Sequence, residues 1–474
     1  MEDPRSQWRR VVRERVENDV TAGHADIWCP RLETLSRVEM EKLQSEKIEA
    51  AFELLLHGSE LYRRKFAAAG LASGDVRTLA DLHKVPVTLP GEWMDDQQAN
   101  PPWGTFSPLR QEDWLARGWM LFTTSGTKAA FPRAFRHTTT DRDLWAWHGK
   151  RALHAMGVRN GDIAINCFAY GTSVAFWGLH YALGEMGIPV ISGGGATTER
   201  RVELIHQFKP TVLLCTPSYA LLLGRVLEET GRSAKESSIR RIILAGEPGA
   251  SVPATRKRLR ELWGAVVHDD FGCTEVAMSP LGYTCAASEN EDAPSPHLME
   301  DQYVVECLTP GDWTPVADGE LGVLVVSNLF SEAQPILRYV MGDWLRITRE
   351  PCACGRTHAR ALGGLQGRYD DVVKVKGLKF YPAAFEDAVR SVRGTGDEFK
   401  VEIEGNGERD VVTITVEPAD GAEDPAALLT RVERTVSGAL GIHVSVRVMP
   451  FGTLPRTQTK AKRFFDLRRM EEKA

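Results

Sequence analysis

The segment Phe122-Thr123-Thr124-Ser125-Gly126-Thr127-Lys128-Ala129-Ala130-Phe131-Pro132-Arg133 carries residue types suited to holding phosphate. Small hydroxyl residues around a glycine leave backbone N–H groups free to meet anionic oxygens. The hydroxyls, with Lys128 or Arg133, add donors. The Gly-x-x-x-x-Gly-Lys-Ser/Thr spacing of a P-loop is absent, and a Ser/Thr-rich turn met alone reads more often as an ordinary loop. Four further segments follow it. Asp269-Asp270-Phe271-Gly272-Cys273-Thr274-Glu275 comes after the strand-like Ala265-Val266-Val267. Arg338-Tyr339-Val340-Met341-Gly342-Asp343, Gly367-Arg368-Tyr369-Asp370-Asp371 and the tail's Pro455-Arg456-Thr457-Gln458-Thr459-Lys460 come later. Singly, Asp343 reads as well as a turn residue, Asp370 as a turn cap and Lys460 as a solvated charge.

A second group has metal-ligand character. Cys352 and Cys354 sit one residue apart, and Cys285 and His297 lie upstream. Three thiolates and an imidazole satisfy a closed tetrahedral zinc site, which would be structural. Cys307 is the spare candidate, and the other reading is free buried thiols.

The elements that must position these residues read as α/β. Helical periodicity runs through 35–70, then Pro86, Pro90, Pro101 and Pro102 mark a loop-rich crossing. From about 118, apolar runs at 163–168, 189–191, 211–216 and 242–246 alternate with amphipathic stretches such as 174–186. Buried strands separated by helices predict a mostly parallel sheet. Shorter alternating strands at 303–347 predict a small antiparallel sheet or barrel. Beyond a boundary near 367–371, strands at 400–404, 411–416 and 444–448, a turn at 405–407 and a helix at 424–440 predict a small α+β unit.

Composition bounds the function. With 43% hydrophobic and 26% charged residues over 474 positions, a mainly disordered, collagen-like or coiled-coil chain is excluded. A net charge of −6 gives no global electrostatic reason to bind nucleic acid. The opening Met1-Glu2-Asp3-Pro4-Arg5 lacks the pattern of a secretory leader, and there is no run of about 18 apolar residues. A cytoplasmic protein without membrane contact is expected, its eight cysteines serving as thiols or metal ligands rather than disulfides.

Taken in order, the five chemical segments resemble the core motifs of adenylate-forming acyl-CoA synthetases, and more narrowly the phenylacetate–CoA ligase branch. His180-Tyr181-Ala182-Leu183-Gly184-Glu185, Ala245-Gly246-Glu247-Pro248, Cys352-Ala353-Cys354-Gly355-Arg356-Thr357 and the stretch 35–70 support the likeness. It implies a large N-terminal adenylation domain at 1–369 and a small mobile lid at 370–474. It also implies a two-step reaction. A carboxylate attacks the α-phosphate of ATP, giving an acyl-adenylate and pyrophosphate, and a thiol, usually coenzyme A, then displaces AMP. A carrier-protein thiol or an amine is the alternative acceptor, and a homodimer is common in the branch.

Roles follow from the same resemblance. Thr124, Ser125, Gly126 and Thr127, with Lys128, match the loop that grips the β/γ-phosphates. Glu275 matches the acid that helps hold Mg²⁺, and Thr274 beside it would touch the α-phosphate. Asp343 matches the acceptor of the ribose hydroxyls, and Arg368 would reach the ribose or a phosphate. Gly246, Glu247 and Pro248, with Asp269, Asp270 and Phe271, would frame the adenine. Lys460 matches the lysine bridging the carboxylate and the α-phosphate, with Lys462 as rival, and Asp370 matches the lid hinge. An aryl acid would lie among Tyr170, Gly171, Phe176, His180, Ala245 and Gly272. Some members of the branch carry a structural zinc at positions matching Cys285, His297, Cys352 and Cys354. The sequence departs from the pattern at Ala129, where a second Gly is usual, and at Thr459. The missing glycine also opens a reading as a nucleotide binder without turnover.

Overall fold

Long apolar runs need two covered faces, and the sheet they build here has helices on both. The computed structural model describes residues 3–13, 27–124, 133–247, 249–276, 280–370, 373–375, 378–405, 410–419, 424–456 and 462–468. Two strands, β1 (Trp119–Thr124) and β2 (Arg133–Thr138), form an antiparallel hairpin. The parallel strands are β3 (Ala164–Asn166), β4 (Val190–Ser192), β5 (Val212–Cys215), β6 (Arg241–Leu244) and β7 (Val266–Phe271). After them come β8 (Gly282–Tyr283), β9 (His297–Leu298), β10 (Tyr303–Leu308), β11 (Leu321–Asn328), β12 (Ile336–Thr348) and β13 (Arg360–Ala361). Every residue of β5 is buried, which is why it reads as unbroken hydrophobicity.

The expected antiparallel region is present but is not a separate barrel. Among the described residues one eleven-stranded sheet runs β10-β11-β12-β13-β9-β8-β7-β6-β5-β3-β4. The two-residue strands β8, β9 and β13 hydrogen-bond the parallel half to the antiparallel half.

The helical opening is split. The helix Arg37–Gly58 starts at a capping box between Ser36 and Glu39. Ser59 both ends it and caps the helix Glu60–Ala68, its Oγ accepting from the Tyr62 N–H at 3.2 Å. These helices are bolted to the antiparallel strands. Gln44 donates to the Glu300 carbonyl at 2.9 Å, and Thr88 bridges Tyr339 through the Thr88 N–H to Arg338 carbonyl bond at 2.7 Å. None of the described helices is long and apolar enough to cross a membrane.

The C-terminal part has its own core. The strands β14 (Val373–Val375) and β15 (Leu378–Phe380) form a hairpin. A four-stranded sheet orders β18 (Ser445–Val448), β17 (Val411–Pro418), β16 (Thr395–Glu404) and β19 (Phe464–Asp466). The helices Pro382–Arg390 and Pro425–Leu440 cover it, with Phe385, Leu428 and Val432 buried against Val401 and Ile414. The second helix begins at Asp424, which accepts from the Ala426 and Ala427 N–H groups, and ends at Gly441 with φ +67°. This unit docks on the helix Pro253–Trp263 and its neighbours: Arg258 donates to Thr395 O at 3.0 Å, and Arg225 pairs with Asp397 at 2.5 Å.

Candidate active site and metal cluster

The phosphate segment is bracketed by β1 and β2, with Thr124 and Arg133 paired across its base. Ser125, Gly126, Thr127 and Lys128 lie outside the described residues. Thr124 Oγ1 is buried with no hydrogen-bond partner among the described residues, which leaves one donor and acceptor for a ligand. The hairpin is tied to the loop beside Gly171, since Thr123 Oγ1 meets Thr172 Oγ1 at 2.7 Å.

Thr274 and Glu275 are buried just past the end of β7. The Glu275 carboxylate takes an ion pair from Arg133 at 2.8 Å. Tyr339 of β12 lies beside this pair, its phenol held well above the usual range by burial and by the Glu275 charge. Burial, then the charge of Glu275, holds the Cys273 thiol well above its usual range, and the Asp343 charge adds to it. Arg368 faces Asp343 as a bridge partner, with Nη1–Oδ2 at 3.5 Å, and its Nε donates to Asp370 at 3.0 Å. Gly342, at φ +88°, makes room: a Cβ there would meet Arg368 Nη2 at 2.9 Å. Arg338 opens this stretch at φ +49°, an uncommon conformation for a non-glycine residue. It is held by its N–H to Ser327 Oγ at 2.9 Å, its Nη1 to Val85 O at 2.8 Å and its pair with Glu306 at 3.0 Å.

Past the end of β6, the strand beside β7, Gly246 turns the chain at φ +87° after Ala245. Glu247 Oε2 then accepts from Ser218 Oγ at 2.6 Å. Ser218 in turn accepts from Arg463 Nη1 at 2.9 Å, which brings the C-terminal tail to this loop. Pro248 and Lys460 lie outside the described residues, and Lys462 is exposed beside the Phe465 ring. Asp269 and Asp270 leave β7 on opposite faces. The Asp269 carboxylate accepts from Ser251 Oγ, and burial lifts its pKa to about 6. Burial and the Asp269 charge lift Asp270 to about 8. Phe271 packs on Gly282, where any Cβ would strike its ring, and Gly272 beyond it is exposed.

Of the residues expected to line the acid pocket, Tyr170 and His180 come together: their rings are 6.3 Å apart, and burial lowers the His180 pKa. The Phe176 side chain lies outside the described residues. Trp177 is an addition that the sequence motifs do not single out. Its ring lies 5.4 Å from Tyr170 and 6.1 Å, stacked, from Tyr181, and its Nε1 donates to Gly171 O at 3.0 Å. A signal for it exists in the sequence: 177, 180 and 181 recur at one-turn spacing on the helix Ala175–Glu185.

Cys285, His297, Cys352 and Cys354 converge, all four ligand atoms lying within 4.8 Å of one another. Cys285 Sγ is 3.8 Å from Cys352 Sγ, and Cys354 Sγ is 3.3 Å from His297 Nε2. Zinc–ligand lengths near 2.3 Å for sulfur and 2.0–2.1 Å for nitrogen make tetrahedral edges of about 3.8 and 3.5 Å. The donor set therefore fits zinc. Cys307 lies outside the cluster, its thiol facing Leu345 O at 3.4 Å.

Comparison with known proteins adds the class. The AMP-binding enzyme C-terminal domain family matches residues 377–468. The crystal structure of 2-hydroxyisobutyryl-CoA ligase in its postadenylation state, with 2-HIB-AMP, superposes with a TM-score of 0.88 at 25% identity, covering 96% of both chains. The same enzyme with 2-HIB-AMP and CoA in its thioesterification state gives 0.71 at 26% identity, again over 96% of each chain. Both the large sheet and the C-terminal unit take part in the closer match, so this is the architecture of AMP-forming acid–CoA ligases, enzymes that activate a carboxylic acid with ATP and pass it to coenzyme A. The phenylacetate–coenzyme A ligase of Thermus thermophilus is 31% identical over 461 residues, 94% of this chain and all of that relative. The chain belongs to the phenylacetate–coenzyme A ligase family.

Proposed function

We propose that the protein converts an aromatic carboxylic acid to its acyl-adenylate with release of pyrophosphate, then to the aryl-CoA thioester with release of AMP. The observation that carries this reading is the Arg133–Glu275 ion pair, with Glu275 just past the C-terminal end of β7, together with the Asp343–Arg368 pair. Ligands of open α/β sheets bind at that edge. A buried carboxylate, a hydroxyl pair at Thr124 and Thr274 and an arginine on each side suit a nucleotide triphosphate.

In this reading the hairpin and Thr274 meet the phosphates, Asp343 accepts from the ribose hydroxyls and Gly246 and Glu247 border the base. Glu275 would hold Mg²⁺, a hard cation that neutralises developing phosphate charge. Lys460 would stabilise the same charge from the C-terminal tail. The aromatic group of Tyr170, Trp177 and His180 would wall the acid.

Residues 370–474 would form the lid, turning about Asp370 between the two half-reactions. The separate core of this unit and its link through Arg463 to Ser218 support that division. The higher similarity to the postadenylation arrangement than to the thioesterification arrangement supports a lid seated for the first half-reaction. The Cys285, His297, Cys352 and Cys354 cluster would hold a structural zinc.

The test is acid-dependent exchange of pyrophosphate into ATP across aromatic and aliphatic acids, with Mg²⁺ and without coenzyme A. Exchange with aromatic acids, followed by thioester formation on adding coenzyme A, is expected. Exchange confined to aliphatic acids would overturn the substrate class. Nucleotide binding without exchange for any acid would overturn the enzyme reading.

A further inference from the structure

One acid near the site has no structural task. Asp270 is only 7% exposed, and no hydrogen bond or ion pair to its carboxyl exists among the described residues. Its neighbour Asp269 is satisfied by Ser251 and attracted by Arg256. A carboxyl this deeply set, with no bonding partner, loses part of its hydration, and a ligand group that bonds it recovers that loss. A leucine would fill the position at no such cost.

Register decides which side of the sheet Asp270 serves. Leu244 pairs with Asp269, and Ile243 pairs with His268. Asp269 therefore leaves on the face of Leu244, where Ala250 and Leu259 pack. Asp270, two residues on from His268, leaves on the face of Ile243. Ile243 shares its core with Leu179, Ala182 and Leu183, which belong to the helix Ala175–Glu185. That helix carries Trp177 and His180. Asp270 and the aromatic wall thus lie on one side of the sheet, and Asp270 stands at the strand end that ligands reach. The two neighbouring acids thus send their side chains to different faces of the sheet.

We propose that Asp270 is a specificity-determining residue of the acid pocket, and that the acid bears a hydrogen-bond donor on its ring, an N–H or O–H, which the Asp270 carboxyl accepts. This rests on the proposed acid activation and narrows its substrate class from aromatic acids to donor-substituted ones. The raised pKa of Asp270 agrees with a carboxyl lacking its partner until the acid binds. A pocket built to bond a donor rejects the analogue lacking it, because the buried acceptor is then left unpaired.

The experiment is pyrophosphate exchange with matched acids: benzoate against the three aminobenzoates and 4-hydroxybenzoate, and phenylacetate against 4-aminophenylacetate. Wild type, Asp270→Leu and Asp270→Asn are compared, with thermal melts to confirm folding. Wild type is expected to favour at least one donor-bearing acid over its parent by roughly 10- to 100-fold in kcat/KM. Asp270→Leu is expected to erase or invert that ratio, and Asp270→Asn, which keeps an acceptor oxygen, to retain part of it. A wild-type preference for the unsubstituted acids overturns the proposal, as does a ratio that Asp270→Leu leaves unchanged. Should Asp270→Leu not fold, the Asp270→Asn ratio decides: a preference equal to wild type for every pair overturns it. Silence of wild type with every acid overturns the acid-activation reading itself, and this inference with it.

Discussion

Arg133 and Glu275 form a 2.8 Å ion pair at the mouth of the phosphate hairpin, with 16% and 8% of their side chains exposed. The arginine closes the phosphate segment, and its Nε has no partner among the described residues. In the proposed reading the pair positions a carboxylate for a divalent cation and keeps a guanidinium within reach of phosphate. Arg133→Met would leave Glu275 buried without its counter-charge. The expected result is a pyrophosphate-exchange rate lower by about 10²–10³-fold. A stability loss of at most about 3 kcal/mol should accompany it, read by urea unfolding, since both groups keep some contact with water.

Asp343 offers two acceptor oxygens, and Arg368 lies at 3.5 Å from one of them. If Asp343 accepts from a ribose diol as proposed, Asp343→Ala removes bonds of about 1.5–3 kcal/mol in total. The KM for ATP in the exchange assay should rise roughly 10- to 100-fold, while the KM for the acid changes by less than about threefold. Equal rises in both would show that Asp343 holds the site together rather than the nucleotide.

The role given to Lys460 separates the half-reactions. In the proposed reading its cation would act where charge develops on the α-phosphate, a point the acyl-adenylate has already passed. Lys460→Ala should slow adenylate formation by about 10²–10³-fold and slow thioester formation from supplied adenylate far less. Rapid quench of each half-reaction separately gives both numbers.

The parallel strands are legible in the sequence because both their faces are buried: β5 has no exposed residue and reads as one apolar run. The C-terminal helix is legible too, since its Asp424 cap and Gly441 stop are local signals. Strands β8, β9 and β13 are not, being two residues long and carrying no period. Those three strands join the antiparallel half to the parallel half in one sheet. The cysteine and histidine types are visible in the sequence, and only the tertiary fold shows that Cys285 and Cys352 meet while Cys307 turns away. Trp177 escapes a sequence reading because an aromatic on an apolar helix reads as core, and its 3.0 Å bond to Gly171 O lies outside any local pattern. Asp269 and Asp270 read as one unit by resemblance, whereas strand alternation sends them to opposite faces.

The metal cluster gives a stoichiometry to measure. Protein purified without chelator should carry about one zinc per chain by elemental analysis, and Cys354→Ser should lower that sharply. Because folding and binding are coupled, chelator treatment should also lower the melting temperature. Since Arg356, two residues past Cys354, pairs with buried Glu33 at 2.6 Å, the loss should spread into the N-terminal helices and be seen there by hydrogen exchange. Less than about half a zinc per chain would remove the metal reading and leave three thiols and an imidazole side by side.

Asp270 predicts how stability changes with pH in the absence of ligand. Burial, then the Asp269 charge, raises its carboxyl from an ordinary 3.8 to about 8. The folded chain therefore holds this proton more tightly than the unfolded chain does. The stabilising contribution is complete below about pH 4 and is lost as pH rises through 8. Asp270→Asn, which cannot ionise, removes that loss. The advantage of the variant should therefore grow between pH 5 and pH 8.5, by at least about 1–3 kcal/mol. Urea unfolding of both proteins across that range supplies the comparison. A donor-bearing acid, added to wild type at pH 8.5, should close the gap by partnering the ionised carboxylate, and it should do so less for Asp270→Asn. If the two proteins differ by the same amount at both pH values, Asp270 is not the group whose proton the fold retains.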